Sequence, residues 1–215
     1  YNAYDVFYTK VYDGFNPLPQ PINSAFFFDY NQVTQDKKGI YWMYVFSKGT
    51  GRLPNTTRLV KGNESVLISY DPSTKATTYL PGLADNFPSC TSVYNDPKDR
   101  LWISAVYASN RLMLYQIDKQ TGKPLSSWQI PTAEVMWDNS YIMQWWQDTQ
   151  QTFWLATVRG LFSFDFIHNK WKHWLHTEGD STSISTDWLY ALCPDPGGPQ
   201  HYLWLATGGK GFDKF

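Results

Sequence analysis

Residues 153–165 read FWLATVRGLFSFD, and residues 203–215 read LWLATGGKGFDKF. A chain that carries nearly the same string twice is built from repeats, and the length of the repeat decides the fold class. Working outward, each string follows an Asp at a fixed distance. Four such units stand in the chain: QDKKGIYW (35–42), NDPKDRLW (95–102), QDTQQTFW (147–154) and PDPGGPQHYLW (194–204). Asp36, Asp96 and Asp148 each precede Trp42, Trp102 and Trp154 by six residues, and Asp195 precedes Trp204 by nine. Successive tryptophans lie 60, 52 and 50 residues apart, a spacing in the range of propeller blades.

The rest of each unit reads as short strands. An inner run such as YIMQWW (141–146) or WLYALC (188–193) enters a turn rich in Asp, Pro and Gly, whose residues bond their own backbone or adopt special dihedrals. The Trp strand follows, then a tight loop with Gly160 or Gly211, a third run LFSFD (161–165) and a fourth, KWKHWLH (170–176). In the Trp strand, alternation sends Phe153, Leu155 and Thr157 to one face and Trp154 and Ala156 to the other. Apolar residues on both faces require both to be covered, which sheets stacked around an axis accomplish. The pattern predicts an all-β chain: a β-propeller of four-stranded antiparallel blades, about four of them visible. The blades divide as 23–80, with a polar insert at 47–65, then 81–130, 131–176 and an incomplete 177–215. Residues 1–22 are expected to be the tail of a preceding blade or a closing outer strand, and the row is expected to be a segment of a larger ring. The opening YNAYDVFYTK, with no initiator Met and no basic-then-apolar leader, reads as a mature or excised piece.

Composition narrows the function. Aromatic residues make up 18% of the chain, with 11 Trp, 15 Tyr and 13 Phe, a bias toward pleated half-buried surfaces. The net charge of −1 and the scatter of the 18 basic residues leave no footprint for nucleic acid or an anionic membrane. Cys90 and Cys193 occupy non-equivalent places in the repeat and are expected to be separate thiols. The two sequons in the insert, at Asn55 and Asn63, are expected to be fortuitous.

The string D-x-x-x-x-x-[LF]-W-[LI]-x-T followed by G-[LF]-x-x-[FY]-D, with SISTDWLYAL (183–192) before the last unit, resembles the two-component regulator propeller repeat. The match is densest at Asp148, Trp154, Leu155, Ala156, Thr157, Gly160, Leu161, Phe164 and Asp165. It recurs at Asp195, Trp204, Leu205, Ala206, Thr207, Gly211 and Phe215. Unit two keeps Asp96, Leu101, Trp102, Ile103 and Ser104 and lacks the Thr-x-x-Gly turn; unit one is weaker. The resemblance implies the periplasmic sensor region of a hybrid two-component system. Members of that family usually carry two seven-bladed propellers, a β-sandwich, a membrane helix, and histidine kinase and regulator domains. It implies an oligosaccharide ligand and signalling to transcription, with a homodimer allowed. It assigns no ligand-contacting residue.

The four tryptophans are expected to be sandwiched between neighbouring blades, and Asp36, Asp96, Asp148 and Asp195 to accept backbone N–H bonds in their turns. One carboxylate per blade is too dispersed for glycosidase chemistry, which needs the pair within about 5–10 Å. The ligand is expected on the opposite rim, where Trp137, Asp138, Asn139, Tyr141, Arg159, Asp187 and Trp188 combine flat apolar surfaces with hydrogen-bonding groups. His168, His173 and His176 lack a carboxylate partner in a metal-binding pattern, and GGKG (208–211) lacks the phosphate-loop spacing, so no metal and no cofactor are expected. No catalysis is expected of the visible region. The rival readings are a propeller-fold glycan-active enzyme, sialidase-like or a lyase, and a non-catalytic protein-interaction propeller. A sialidase needs three converging arginines, and Arg52, Arg58, Arg100, Arg111 and Arg159 show no such placement in the pattern.

Overall fold

A computed structural model describes residues 26–47, 51–52, 59–60, 65–80, 89–107, 111–131, 142–195 and 202–215. Every regular element among them is a strand. Strands β1 (Phe26–Gln35), β2 (Tyr41–Ser47), β5 (Ser65–Asp71) and β6 (Ala76–Leu80) form the first antiparallel sheet, in that order. Between β2 and β5 a two-residue pair, β3 (Gly51–Arg52) with β4 (Leu59–Val60), forms a separate small sheet. The second sheet runs β7 (Ser89–Asn95), β8 (Leu101–Tyr107), β9 (Arg111–Ile117) and β10 (Pro124–Gln129). The third runs β11 (Ile142–Gln147), β12 (Thr152–Thr157), β13 (Gly160–Asp165) and β14 (Lys170–Trp174). The fourth has three strands, β15 (Leu189–Pro194), β16 (Leu203–Thr207) and β17 (Gly211–Lys214). The first strands β1, β7, β11 and β15 stand beside one another in chain order, so the sheets form a propeller-like row.

The alternation along each Trp strand makes this row. On β12, Phe153 and Leu155 join a core shared with the second sheet, which includes Trp102, Leu112 and Leu114. Ala156 and Trp154 face the other way, into a core with Leu189, Leu192, Leu203 and Leu205 of the fourth sheet. The same rule places Trp42 and Tyr44 against Val93, Leu101 and Ile103. In the first three copies the Trp thus points to the following sheet, and in the second and third its apolar neighbours in the strand point back.

One expectation is corrected here. Trp42 and Trp102 are buried and Trp154 is half-buried, but Trp204 is 40% exposed. The reason is positional: Trp204 looks away from the third sheet, and no further sheet of the described residues lies on that side. Phe212, which pairs with Ala206 as Leu161 pairs with Ala156, is 74% exposed where Leu161 is fully buried.

All four first strands shift register at one place, between Phe28 and Val33, Cys90 and Ser92, Ile142 and Gln144, and Leu189 and Ala191. Such bulges re-aim backbone groups and side chains. Polar bonds then cross from sheet to sheet near them: Trp145 Nε1 donates to Ser92 Oγ at 2.7 Å, and the Leu192 amide donates to Gln144 Oε1 at 3.0 Å.

Candidate functional site

The repeated Asp turn is built on one plan three times. The Asp36 amide donates to the Ile40 carbonyl at 2.9 Å, the Asp96 amide to Arg100 at 2.9 Å, and the Asp148 amide to Thr152 at 3.0 Å. The residue three after each Asp donates back to it and has positive φ: Gly39 at 82°, Asp99 at 68° and Gln151 at 69°. One carboxylate oxygen closes the turn. Asp36 Oδ1 accepts from the Lys38 and Ile40 amides, Asp96 Oδ1 from those of Lys98 and Arg100, and Asp148 Oδ1 from that of Thr152. The other oxygen accepts the indole N–H of the repeat Trp, at 2.9 Å for Trp42 and Trp102 and 3.0 Å for Trp154. The six-residue spacing therefore fixes the ring, and these carboxylates are committed to structure. The turn is legible in the sequence and the indole bond is not, although the six-residue separation shared by these three units is its signal. In the fourth unit the Asp195 amide bonds the Tyr202 carbonyl at 2.9 Å, and Lys214 lies 5.5 Å from the Trp204 ring centroid.

On the opposite rim, Arg159, Asp187 and Trp188 come together around two short turns. The Gly160 amide donates to the Asp187 carbonyl at 2.6 Å and the Gly208 amide to the Trp188 carbonyl at 2.7 Å. Thr157 Oγ1 accepts from the Arg159 amide and donates to the Gly160 carbonyl at 2.8 Å, and Thr207 Oγ1 donates to the Gly211 carbonyl at 2.8 Å. That bond is why Thr ends the Trp strand. Asp187 Oδ1 accepts the His176 amide at 2.6 Å, so this carboxylate braces its loop. The Arg159 carbonyl accepts from His173 Nε2 at 2.7 Å, while Arg159 Nε is buried with no partner among the described residues.

Trp188 is 49% exposed and sits against Gly208, where an added Cβ would lie 3.0 Å from Trp188 Cβ and Cγ. Tyr190, which the sequence did not single out, is equally exposed and lies 5.8 Å from it, the rings tilted at 43°. The serine-rich connection between β14 and β15 is bonded within itself and to the fourth sheet: Ser183 Oγ donates to the Asp180 carbonyl at 2.9 Å and Thr182 Oγ1 to Asp180 Oδ1 at 2.6 Å, and the Ser185 amide donates to Asp213 Oδ2 of β17 at 2.8 Å. Trp137, Asp138, Asn139 and Tyr141 lie outside the described residues. Among the described residues no group of three His, Cys, Asp or Glu could hold a metal ion, and no helix is long and apolar enough to cross a membrane. Cys193 is a free, exposed thiol.

No protein-family model matches the chain, and no curated protein matches it. Solved structures do. PorZ, an essential surface component of the type-IX secretion system of Porphyromonas gingivalis, superposes with a TM-score of 0.51 at 12% identity, over 86% of this chain and 25% of its own. An extracellular domain assigned to a hybrid two-component system of B. thetaiotaomicron gives 0.42 at 13% identity, over 85% and 26%. Dipeptidyl peptidase 4 of Porphyromonas gingivalis gives 0.42 at 11% identity, over 85% and 30%. The chain spans about a quarter of the length of the first two. At these identities the likeness to PorZ is one of fold, which does not by itself carry a function.

Proposed function

We propose that the chain is part of an extracytoplasmic, ligand-sensing propeller of a hybrid two-component sensor, and that it recognises an oligosaccharide without turning it over. The observation that carries this reading is the tandem repeat, which resembles the two-component regulator propeller repeat and in which Asp holds the Trp indole in the first three units and Thr bonds the turn glycine in the last two. With the recurrent carboxylates occupied in turns, a ligand falls to the opposite rim, where Trp188 and Tyr190 offer half-exposed rings 5.8 Å apart. Among the described residues the outer face of the fourth sheet carries the exposed Trp204 and Phe212, and in the proposed larger ring, of the seven-bladed type, another sheet covers them as the next sheet covers Trp42, Trp102 and Trp154. The parent protein would place this region in the periplasm, as a monomer or paired with a second copy, and pass the signal through a membrane helix to kinase and regulator domains. A ligand can drive such a signal only if it binds two arrangements of the sheets unequally.

The test is calorimetric titration of the chain with a panel of plant and host oligosaccharides, followed by chromatography of the same mixtures. Saturable binding with the sugars recovered intact is the expected result. Cleaved products would move the chain to the glycan-active enzymes, and absence of binding across the panel would remove the oligosaccharide assignment.

A further inference from the structure

An Asp stands at the end of the third strand of each of the first three sheets, last in β5 and β13 and just after β9, and accepts from the backbone two residues on: Asp71 from the Ser73 amide, Asp118 from that of Gln120 and Asp165 from that of Ile167. The residue after that Asp reaches the Trp of the preceding sheet. At the joint between the second and third sheets it is Phe166, with its ring 5.2 Å from that of Trp102 in an edge contact and the Arg100 guanidinium 4.6 Å from its centroid. At the joint between the first and second it is Lys119, whose ammonium lies 5.8 Å from the Trp42 ring. Lys119 Nζ also reaches Asp36 Oδ2 of the first sheet at 3.3 Å and Asp99 Oδ1 of the second at 2.8 Å. Asp99 Oδ1 further accepts the Lys37 amide, at 3.1 Å, across the same joint. Among the described residues, the ion pair of Lys119 with Asp36 is the one that passes from one sheet to the next.

We infer that Lys119 is an electrostatic latch that makes the joint between the first and second sheets the one that opens first, while the joint closed by Phe166 stays shut. Two unlike joints at one repeat position differ in what weakens them: dissolved salt screens the partly exposed ammonium and the ion pair it makes across the joint, whereas the Arg100 guanidinium over Phe166 pairs with Asp96 of its own sheet, and that joint is closed by an aromatic edge contact on which salt does not act. Aromatic packing in a close-packed core also resists gradual displacement. The inference needs only the fold and stands whether or not the chain binds a sugar.

Hydrogen exchange by mass spectrometry on the whole chain tests it. Raising sodium chloride from about 0.05 M to about 1 M, which shortens the screening length from above 10 Å to about 3 Å, should accelerate exchange of the amides in 36–42 and 95–102 about fivefold or more, and leave 148–165 unchanged. Lys119→Met should show the fast exchange already at low salt, and Lys119→Arg should restore slow exchange and its salt response. Equal acceleration at both joints, or none at the first, overturns the latch, as does a Lys119→Met protein that still responds to salt. Should Lys119→Met fail to fold, the wild-type salt comparison and the Lys119→Arg protein decide the matter.

Discussion

Gly160 and Gly211 occupy matching places in the third and fourth units, both with positive φ, at 96° and 84°. Their surroundings differ. A Cβ on Gly160 would lie 2.3 Å from the Trp174 carbonyl oxygen, whereas one on Gly211 would meet nothing within 4 Å. Gly160→Ala is therefore expected to destabilise the fold by about 3 kcal/mol or more, since strain and a backbone clash add, and Gly211→Ala by about 1 kcal/mol, from dihedral strain alone. Urea unfolding of both variants checks the ordering. Gln151 holds a left-handed conformation without the freedom of glycine that Gly39 has at the same place. Gln151→Gly should be stabilising by about 0.5 kcal/mol, the strain relieved exceeding the added chain entropy. Both glycines were legible as loop residues in the sequence. That only Gly160 is hemmed in was not, because the obstacle is a carbonyl of β14, a strand away.

At the scale of the element, the Asp turn and its Trp strand form one hydrogen-bonded unit. Asp148→Ala would strip the Thr152 amide and the Trp154 indole of their acceptor at once and is expected to cost about 2 kcal/mol; Trp154→Phe, which keeps most of the ring, should cost about 1 kcal/mol. A thermal or urea comparison of the two separates them. The same turns set an acid response. Burial raises the Asp36 and Asp99 carboxyls, but hydrogen bonds outweigh it: those from the Trp42 indole and Ile40 amide lower Asp36, and those from Lys119, the Lys37 amide and Asn95 bring Asp99 down to about 2. Carboxyls lowered in the fold bind fewer protons than in the unfolded chain, so stability rises with pH across this window. Their contribution is complete above the unfolded value of 3.8 and is lost as pH falls from there toward about 2. Lys119→Met should shift the Asp99 titration upward, toward 3.8, in a carboxyl-detected NMR experiment. The fixed Asp-to-Trp separation and the alternation of Phe153, Trp154 and Leu155 were readable from the sequence because strand period and turn chemistry are local. The indole bond was not, since it depends on how far the turn folds back over its own strand.

Across the whole molecule, sheets follow one another because each Trp strand is apolar on both faces. That reasoning correctly anticipates an all-β row, and it overreaches at Trp204, where coverage depends on a neighbour the repeat cannot supply by itself. On the opposite rim, backbone bonds join the turns that carry Arg159 and Asp187, but the Asp187 carboxylate is committed to the His176 amide, and the exposed Tyr190 beside Trp188 was not legible as a site residue. A side chain's hydrogen-bond duties are set by loops that meet only after folding. The exposed outer face should bind an apolar dye, and Phe212→Glu should reduce that fluorescence severalfold with little loss of stability, as Phe212 is largely exposed. The central claim is that the recurrent indoles are held by the Asp of their own turn and covered by the following sheet. Hydrogen exchange of the indole N–H groups, followed one by one by NMR, tests it most directly. Trp42, Trp102 and Trp154 should exchange at least about tenfold more slowly than Trp204; a single common rate for all four, or Trp204 the slowest, would contradict it.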